Sequence, residues 1–220
     1  MAIHVIRPGM LTTVQDTGRW GYQSRGVPVA GPMDPVSHRL ANALIGNDPG
    51  AATLEITLLG PELEFESERI VAIAGAEFDV TVDERSAPVG AAFVVAAGTR
   101  LRFGARARGS RAYLAISGGV AVPEVLGSRA THVISAMGGI DGRPLRAGDR
   151  LPLGAATGAR AAAPPADRIV PLPDNLPDCA SWPDRSASAS RRTRSTRSNR
   201  RPTRSRRTPI AWGSVSRDRS

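Results

Sequence analysis

Residues 53–82 read TLEITLLGPELEFESERIVAIAGAEFDVTV. Their apolar residues recur with the two-residue period of strands rather than the period of a helix. Thr53–Leu59, Ile70–Ile73 and Phe78–Val82 are strand-like. Glu62, Glu64, Glu66 and Glu68 alternate too, so they share one strand face, which is expected to meet solvent rather than a metal ion. Asp83-Glu84-Arg85-Ser86 then reads as a polar hairpin turn.

The same pattern extends in both directions. Ala91–Val95, Arg100–Phe103 and Arg111–Ile116 continue the series toward the C-terminus. Upstream, Ile3–Ile6 is a short apolar run closed by Pro8-Gly9, and Leu11–Val14 forms the next strand. Residues 26–34, GVPVAGPMD, carry glycines and prolines at a spacing that suits a loop. One helix is expected. Asp34 caps it, Pro35 suits its first position, and Val36, Leu40, Ala43 and Leu44 line one apolar face before Gly46 stops it. A glycine-rich stretch, GGIDGRP at 138–144, precedes Leu145–Leu151. Short strands with regular turn signals and one helix predict an all-β barrel or sandwich.

Composition narrows the function. There is no lysine, and the formal charge of +9 is unevenly spread. Residues 1–180 hold 17 Arg against 18 Asp and Glu, whereas 181–220 hold 12 Arg against two Asp. A nucleic-acid reading therefore does not apply to the first 180 residues. Cys179 is the sole cysteine, which excludes an internal disulfide and a thiolate zinc site. His4, His38 and His132 lack ligand spacing, so no metal is expected. No apolar run approaches the ~20 residues of a membrane span, and MAIHVIRPGM is not a signal sequence. A cytoplasmic protein is the expectation.

The densest polar cluster is Thr12-Thr13-Val14-Gln15-Asp16-Thr17-Gly18-Arg19. Arg19 could clamp a carboxylate, Asp16 could shuttle a proton, and Gln15 could bond a carbonyl oxygen. The plainer alternative is an Asp-centred turn with a surface salt bridge. Gly31-Pro32-Met33-Asp34 is either a helix cap or an anion-binding helix start. His38, one turn further on, is read as structural or solvated. The Gly138–Gly142 loop fits neither a phosphate loop nor a dinucleotide fingerprint, so nucleotide binding by this chain is rejected.

Residues 6–61, IRPGMLTTVQDTGRWGYQSRGVPVAGPMDPVSHRLANALIGNDPGAATLEITLLGP, closely resemble the start of the biotin-dependent carboxyltransferase-like family. Its members include the C subunit of 5-oxoprolinase, allophanate hydrolase subunit 2-like proteins, the KipI antagonist KipA and the carboxyltransferase domain of urea amidolyase. The resemblance continues through AGAEFDV, YLAISGGV, VLGSRATH and GGIDGRPLRAGD, to about residue 177. It implies cyclophilin-like β-barrel subdomains with the active site between two of them. It implies either carboxyl transfer from carboxybiotin to an amide or urea nitrogen, or ATP-dependent opening of 5-oxoproline to glutamate. By motif match, Gln15, Asp16, Arg19 and Asp34 are the catalytic candidates, and Thr13, Gly31, Pro32 and Met33 the substrate-binding ones. Without lysine there is no biotinyl-lysine site, so carboxybiotin would arrive on a partner and ATP would be used by the complex. The implied partners are two sister subunits of the 5-oxoprolinase complex, one KipI-like and one LamB/YcsF-like. The alternative within the family is a KipA-type regulatory binder without turnover.

The C-terminus departs from the family. A second barrel is expected after residue 177; instead, 22 of the 40 residues from 181 are Ser or Arg. That composition predicts a disordered tail over 178–220. Back-translation of residues 209–219 permits, two bases on, DRMGFRLEGP, which resembles the family's second half. The tail is thus read as the family's own gene in a shifted frame, with activity impaired and apolar surface left bare. The rival reading is a tail that binds nucleic-acid phosphates.

Overall fold

The computed structural model describes residues 1–156. The expected tail at 178–220, its shifted frame and the end of the expected first domain at 157–177 lie outside the described residues.

Among the described residues nine strands join in one sheet with a single α-helix. The strands are β1 (Ala2–Arg7), β2 (Leu11–Gln15), β3 (Thr53–Thr57), β4 (Glu62–Phe65), β5 (Arg69–Val82), β6 (Arg85–Ala87), β7 (Ala92–Val95), β8 (Arg100–Ile116) and β9 (Arg150–Pro152), and helix α1 spans Pro35–Leu44. The hydrogen-bonded order is β2-β3-β8-β4-β1-β9, with β5 joining β8 to β6 and β7. This is the expected all-β class with one helix.

Strand β8 organises the sheet. Its start pairs with β4, its end with β3, and its length with β5. Gly75 faces Ala112 while Val80 faces Phe103, so five steps on β5 match nine on β8. Extra residues on one strand bend and twist the pair. The curled sheet closes over one core that includes Ile3, Leu54, Phe65, Ile73, Leu101 and Leu114.

Several expected boundaries move. Ile70–Ile73 and Phe78–Val82 belong to the single strand β5, and Arg100–Phe103 and Arg111–Ile116 to β8. Asp83 and Glu84, at φ of 44° and 69°, make the hairpin turn, and Arg85 already opens β6. Of Leu145–Leu151, only the end enters β9, which pairs with β1.

Of the expected glutamate face only Glu62 and Glu64 lie on β4, whereas Glu66 and Glu68 fall between it and β5. Glu62 meets Arg7, Glu64 meets Arg100, and Glu66 meets Arg150 and His4. The Arg150 guanidinium, helped by His4, pushes the Glu66 carboxyl down to about 2.

Helix α1 begins as expected. Asp34 accepts hydrogen bonds from the Val36 and Ser37 amides, and Pro35 follows. Its buried face differs from the expected one. Val36 and Ala43 are exposed, while His38, Ala41, Asn42, Leu44 and Ile45 are buried. Small Ala41 shares a second buried cluster with Ala72, Ala74 and Ala115 of the sheet. Asn42 is admitted because its amide donates to the Ala51 carbonyl. Among the described residues no helix is long and apolar enough to cross a membrane.

Candidate functional site

Strand β2 ends at Gln15, and its last residues are buried by a segment far along the chain. Thr131 returns its amide and its hydroxyl to the Val14 carbonyl. The Gln15 amide nitrogen donates to the Thr13 hydroxyl and to the Thr131 carbonyl. Its Oε1 is buried and has no hydrogen-bond partner among the described residues.

Asp16 turns the chain. Its Oδ1 accepts from the Gly18 amide at 2.9 Å and from the Ser128 hydroxyl at 2.6 Å. Its Oδ2 accepts from the Arg129 amide at 2.5 Å. Arg19 is 1 % exposed, an unusual state for a guanidinium. Its Nε donates to the Val125 carbonyl and its Nη2 to the Ala130 carbonyl, while Nη1 has no partner among the described residues. Arg19 thus holds the 125–130 segment at its two ends, and Asp16 holds residues 128 and 129 between them. The Asp-centred turn is present, but the surface salt bridge proposed with it is not. Arg19 lies inside, bonded to carbonyl oxygens, and no ion pair between described residues includes Asp16, Arg19 or Asp34.

The second motif packs directly on the first. The Arg19 amide donates to the Val29 carbonyl at 2.8 Å. A Cβ on Gly18 would sit 2.8 Å from the Val29 oxygen, and one on Gly31 would sit 3.3 Å from the Asp16 oxygen. Both are in the left-handed region, at φ of 86° and 93°. Glycine at both positions allows the two backbones to touch. Gly31 and Pro32 are half-buried, Met33 projects into solvent, and Thr13 is buried beside Gln15. Trp20 is 67 % exposed, with its indole N–H fixed to the Thr17 carbonyl.

The Asp34 carboxylate is occupied by its own helix start, and its Oδ2 accepts from the Ser37 hydroxyl at 2.5 Å. Beneath the 31–34 turn lie two residues that sequence reading missed. Glu55 on β3 and Tyr113 on β8 face each other in register. Glu55 Oε2 accepts from the Met33 amide at 2.8 Å and from the Tyr113 hydroxyl at 2.7 Å. The Tyr113 oxygen accepts from the Asp34 amide at 2.7 Å. Burial, reinforced by the Glu55 and Asp34 charges, holds the phenol far above its ordinary range, so it remains a donor.

His38 completes the cluster, edge-on to the Tyr113 ring at 5.9 Å. Neither ring nitrogen makes a hydrogen bond with a described residue. Burial lowers its pKa below the ordinary histidine value, and Arg39 adds to this. The nearby backbone of Gln15 and Ala51 and the Asp16 charge oppose it. The folded chain therefore favours neutral His38. Its contribution to stability is complete above the unfolded histidine pKa of about 6.5 and is lost as pH falls below it. Thermal melts of the full chain should show a drop between pH 7 and 5 that His38→Gln flattens; an equal drop in both would sink this assignment.

Among the described residues no three His, Cys, Asp or Glu side chains come close enough to share a metal ion. What the two motifs build is a rigid wall, with buried charged groups inside and Trp20 and Met33 outside.

A family model for the carboxyltransferase domain, subdomains A and B, matches residues 25–200. The chain belongs to this carboxyltransferase family. It is 42% identical over 152 residues to the C subunit of 5-oxoprolinase from Escherichia coli, covering 69% of this chain and 49% of that protein. It is 43% identical over 151 residues to urea amidolyase of Saccharomyces cerevisiae, covering 68% of this chain and 8% of that one. The crystal structure of Kluyveromyces lactis urea carboxylase superposes with a TM-score of 0.69 at 43% identity, over 74% of this chain and 15% of that chain. The chain thus spans about half the length of that bacterial protein.

Proposed function

We propose that this chain is the carboxyltransferase-type subunit of an ATP-dependent 5-oxoprolinase, which opens 5-oxoproline to glutamate. The supporting observation is the direct packing of the QDTGR turn on the AGPMD turn, in a chain similar to the C subunit of a bacterial 5-oxoprolinase. In this reading Gln15, Asp16, Arg19 and Asp34 form the reactive wall, and Thr13, Gly31, Pro32 and Met33 the substrate side. Opening a cyclic amide breaks a resonance-stabilised C–N bond, which is where ATP on the partner subunits contributes. If the substrate is urea instead, carboxybiotin comes on a partner. The test is to purify the full chain and supply its KipI-like and LamB/YcsF-like partners with 5-oxoproline and ATP in one mixture, or a biotin carboxylase with its biotinylated carrier, urea, bicarbonate and ATP in a second. Glutamate and ADP in the first mixture support the proposal. Turnover only in the second moves the chain to the urea-carboxylating branch.

One observation favours a second reading. The Asp16 and Asp34 carboxylates and the Arg19 Nε and Nη2 are bonded within the chain, as expected of a KipA-type binder whose surface matters more than turnover. Tight association with a KipI-like partner and no product in either mixture would establish it.

A further inference from the structure

We infer that Tyr113 and Glu55 are positioning residues that set the Met33–Asp34 turn from beneath. The inference deepens the proposed function, because it takes that turn to face the reaction. Three observations carry it. First, the Asp34 amide, the Tyr113 hydroxyl and Glu55 Oε2 form one directed chain. The Asp34 N–H donates to Tyr113 and the Tyr113 O–H donates to Glu55, both at 2.7 Å. The direction is fixed, because a backbone amide can only donate and a carboxylate oxygen accepts.

Second, the Met33 amide ends on the same Glu55 oxygen, at 2.8 Å, so two consecutive backbone groups share one anchor. Arg111 holds the other oxygen, its Nε donating to Glu55 Oε1 at 3.3 Å. Third, the anchor is rigid. Glu55 and Tyr113 are directly opposed on paired strands, and Tyr113 is fully buried under α1. A carboxylate held on two strands and shielded from water is a stiffer support than a loop contact. The turn itself links this anchor to the Asp34 cap. Neither Glu55 nor Tyr113 therefore needs to touch substrate to affect it.

The test uses the full chain with Tyr113→Phe and Glu55→Ala. Tyr113→Phe keeps the ring and removes one oxygen, so it preserves the packing. Amide exchange at Asp34 should then accelerate about tenfold, the scale of one hydrogen bond, while the β3 and β8 amides keep their protection. Glu55→Ala should accelerate Met33 as well. In the assembled enzyme, Tyr113→Phe should lower kcat about tenfold with KM nearly unchanged. It should cost nothing further once Asp34→Asn is present, because a residue acting through Asp34 is silent without it. Wild-type exchange at Asp34 in Tyr113→Phe would overturn the inference, and so would multiplicative losses in the double variant. A wild-type assembly that turns over neither substrate refutes the proposed function alone. The exchange experiment still decides whether the relay holds the turn.

Discussion

Asp16→Ala is expected to destabilise the full chain by about 3–5 kcal/mol. The carboxylate accepts from the Gly18 amide, the Ser128 hydroxyl and the Arg129 amide. An abandoned buried donor costs about 1–3 kcal/mol, and relaxation around the shortened side chain recovers part of what the three lost bonds contributed. The Ser128 oxygen also accepts from the Ala130 amide, so losing Asp16 frees the hydroxyl on which that bond depends. Domains have only about 5–15 kcal/mol in total, so the variant should be barely folded at 37 °C. Arg19→Met tests the same segment on either side of the residues that Asp16 holds, by orphaning the Val125 and Ala130 carbonyls. If both side chains hold one unit, the double variant should lose less than the two single losses added. Asp48→Ala is the control, because Asp48 caps only the exposed Gly50 amide and should cost under ~1 kcal/mol. Urea unfolding measures all four proteins. A loss below ~1 kcal/mol for Asp16→Ala would mean that 125–131 is anchored elsewhere.

This role could not be read from the motif alone. The five residues from Gln15 to Arg19 announce a dense polar turn, but nothing nearby names Ser128 and Arg129, which lie more than a hundred positions away. The Asp-x-Gly turn was legible because it is local. The Asp16–Ser128 bond was not, because it depends on how the sheet curls. The same distinction separates Glu55 from its neighbours. In TLEIT the alternation identifies two faces, but not that α1 and the 31–34 turn cover the polar one. Glu55 has no partner legible in the sequence until the register places it opposite Tyr113.

The fold was legible where periodicity is strong and failed where glycine and charge imitate a loop. Residues 104–110, GARARGS, look like a break, yet they lie inside β8. Their extra length relative to β5 becomes bulges rather than a turn. Helix α1 was placed correctly by Asp34 and Pro35, because caps are local. Its buried face was misjudged because His38 and Asn42 are polar, and what admits them is contact with β8 and residue 51.

The second large effect is expected at the turn that covers Arg19. Gly138 has a φ of 69°, and a Cβ there would lie 2.1 Å from the Ala130 oxygen and 2.6 Å from Arg19 Nη2. That oxygen accepts from Arg19, so it cannot retreat without breaking the bond that buries the guanidinium. Gly142, at a φ of 63°, is tighter still, with its Cβ falling 1.9 Å from the Ala136 carbonyl carbon. Backbone has to move at either site. Gly127 separates this steric cost from the conformational one, since its φ is 73° but nothing lies within 4 Å of a Cβ. Gly127→Ala should therefore cost only the left-handed penalty, about 1–2 kcal/mol. Gly138→Ala and Gly142→Ala should cost more than about 3 kcal/mol, or open the turn locally. Amide exchange distinguishes these outcomes, because His132 and Met137 bond each other's carbonyls across the turn. Fast exchange at both, with β3 and β8 protected, marks local opening; uniform loss marks global destabilisation. Gly138→Ala as mild as Gly127→Ala would contradict the packing of this turn on Arg19.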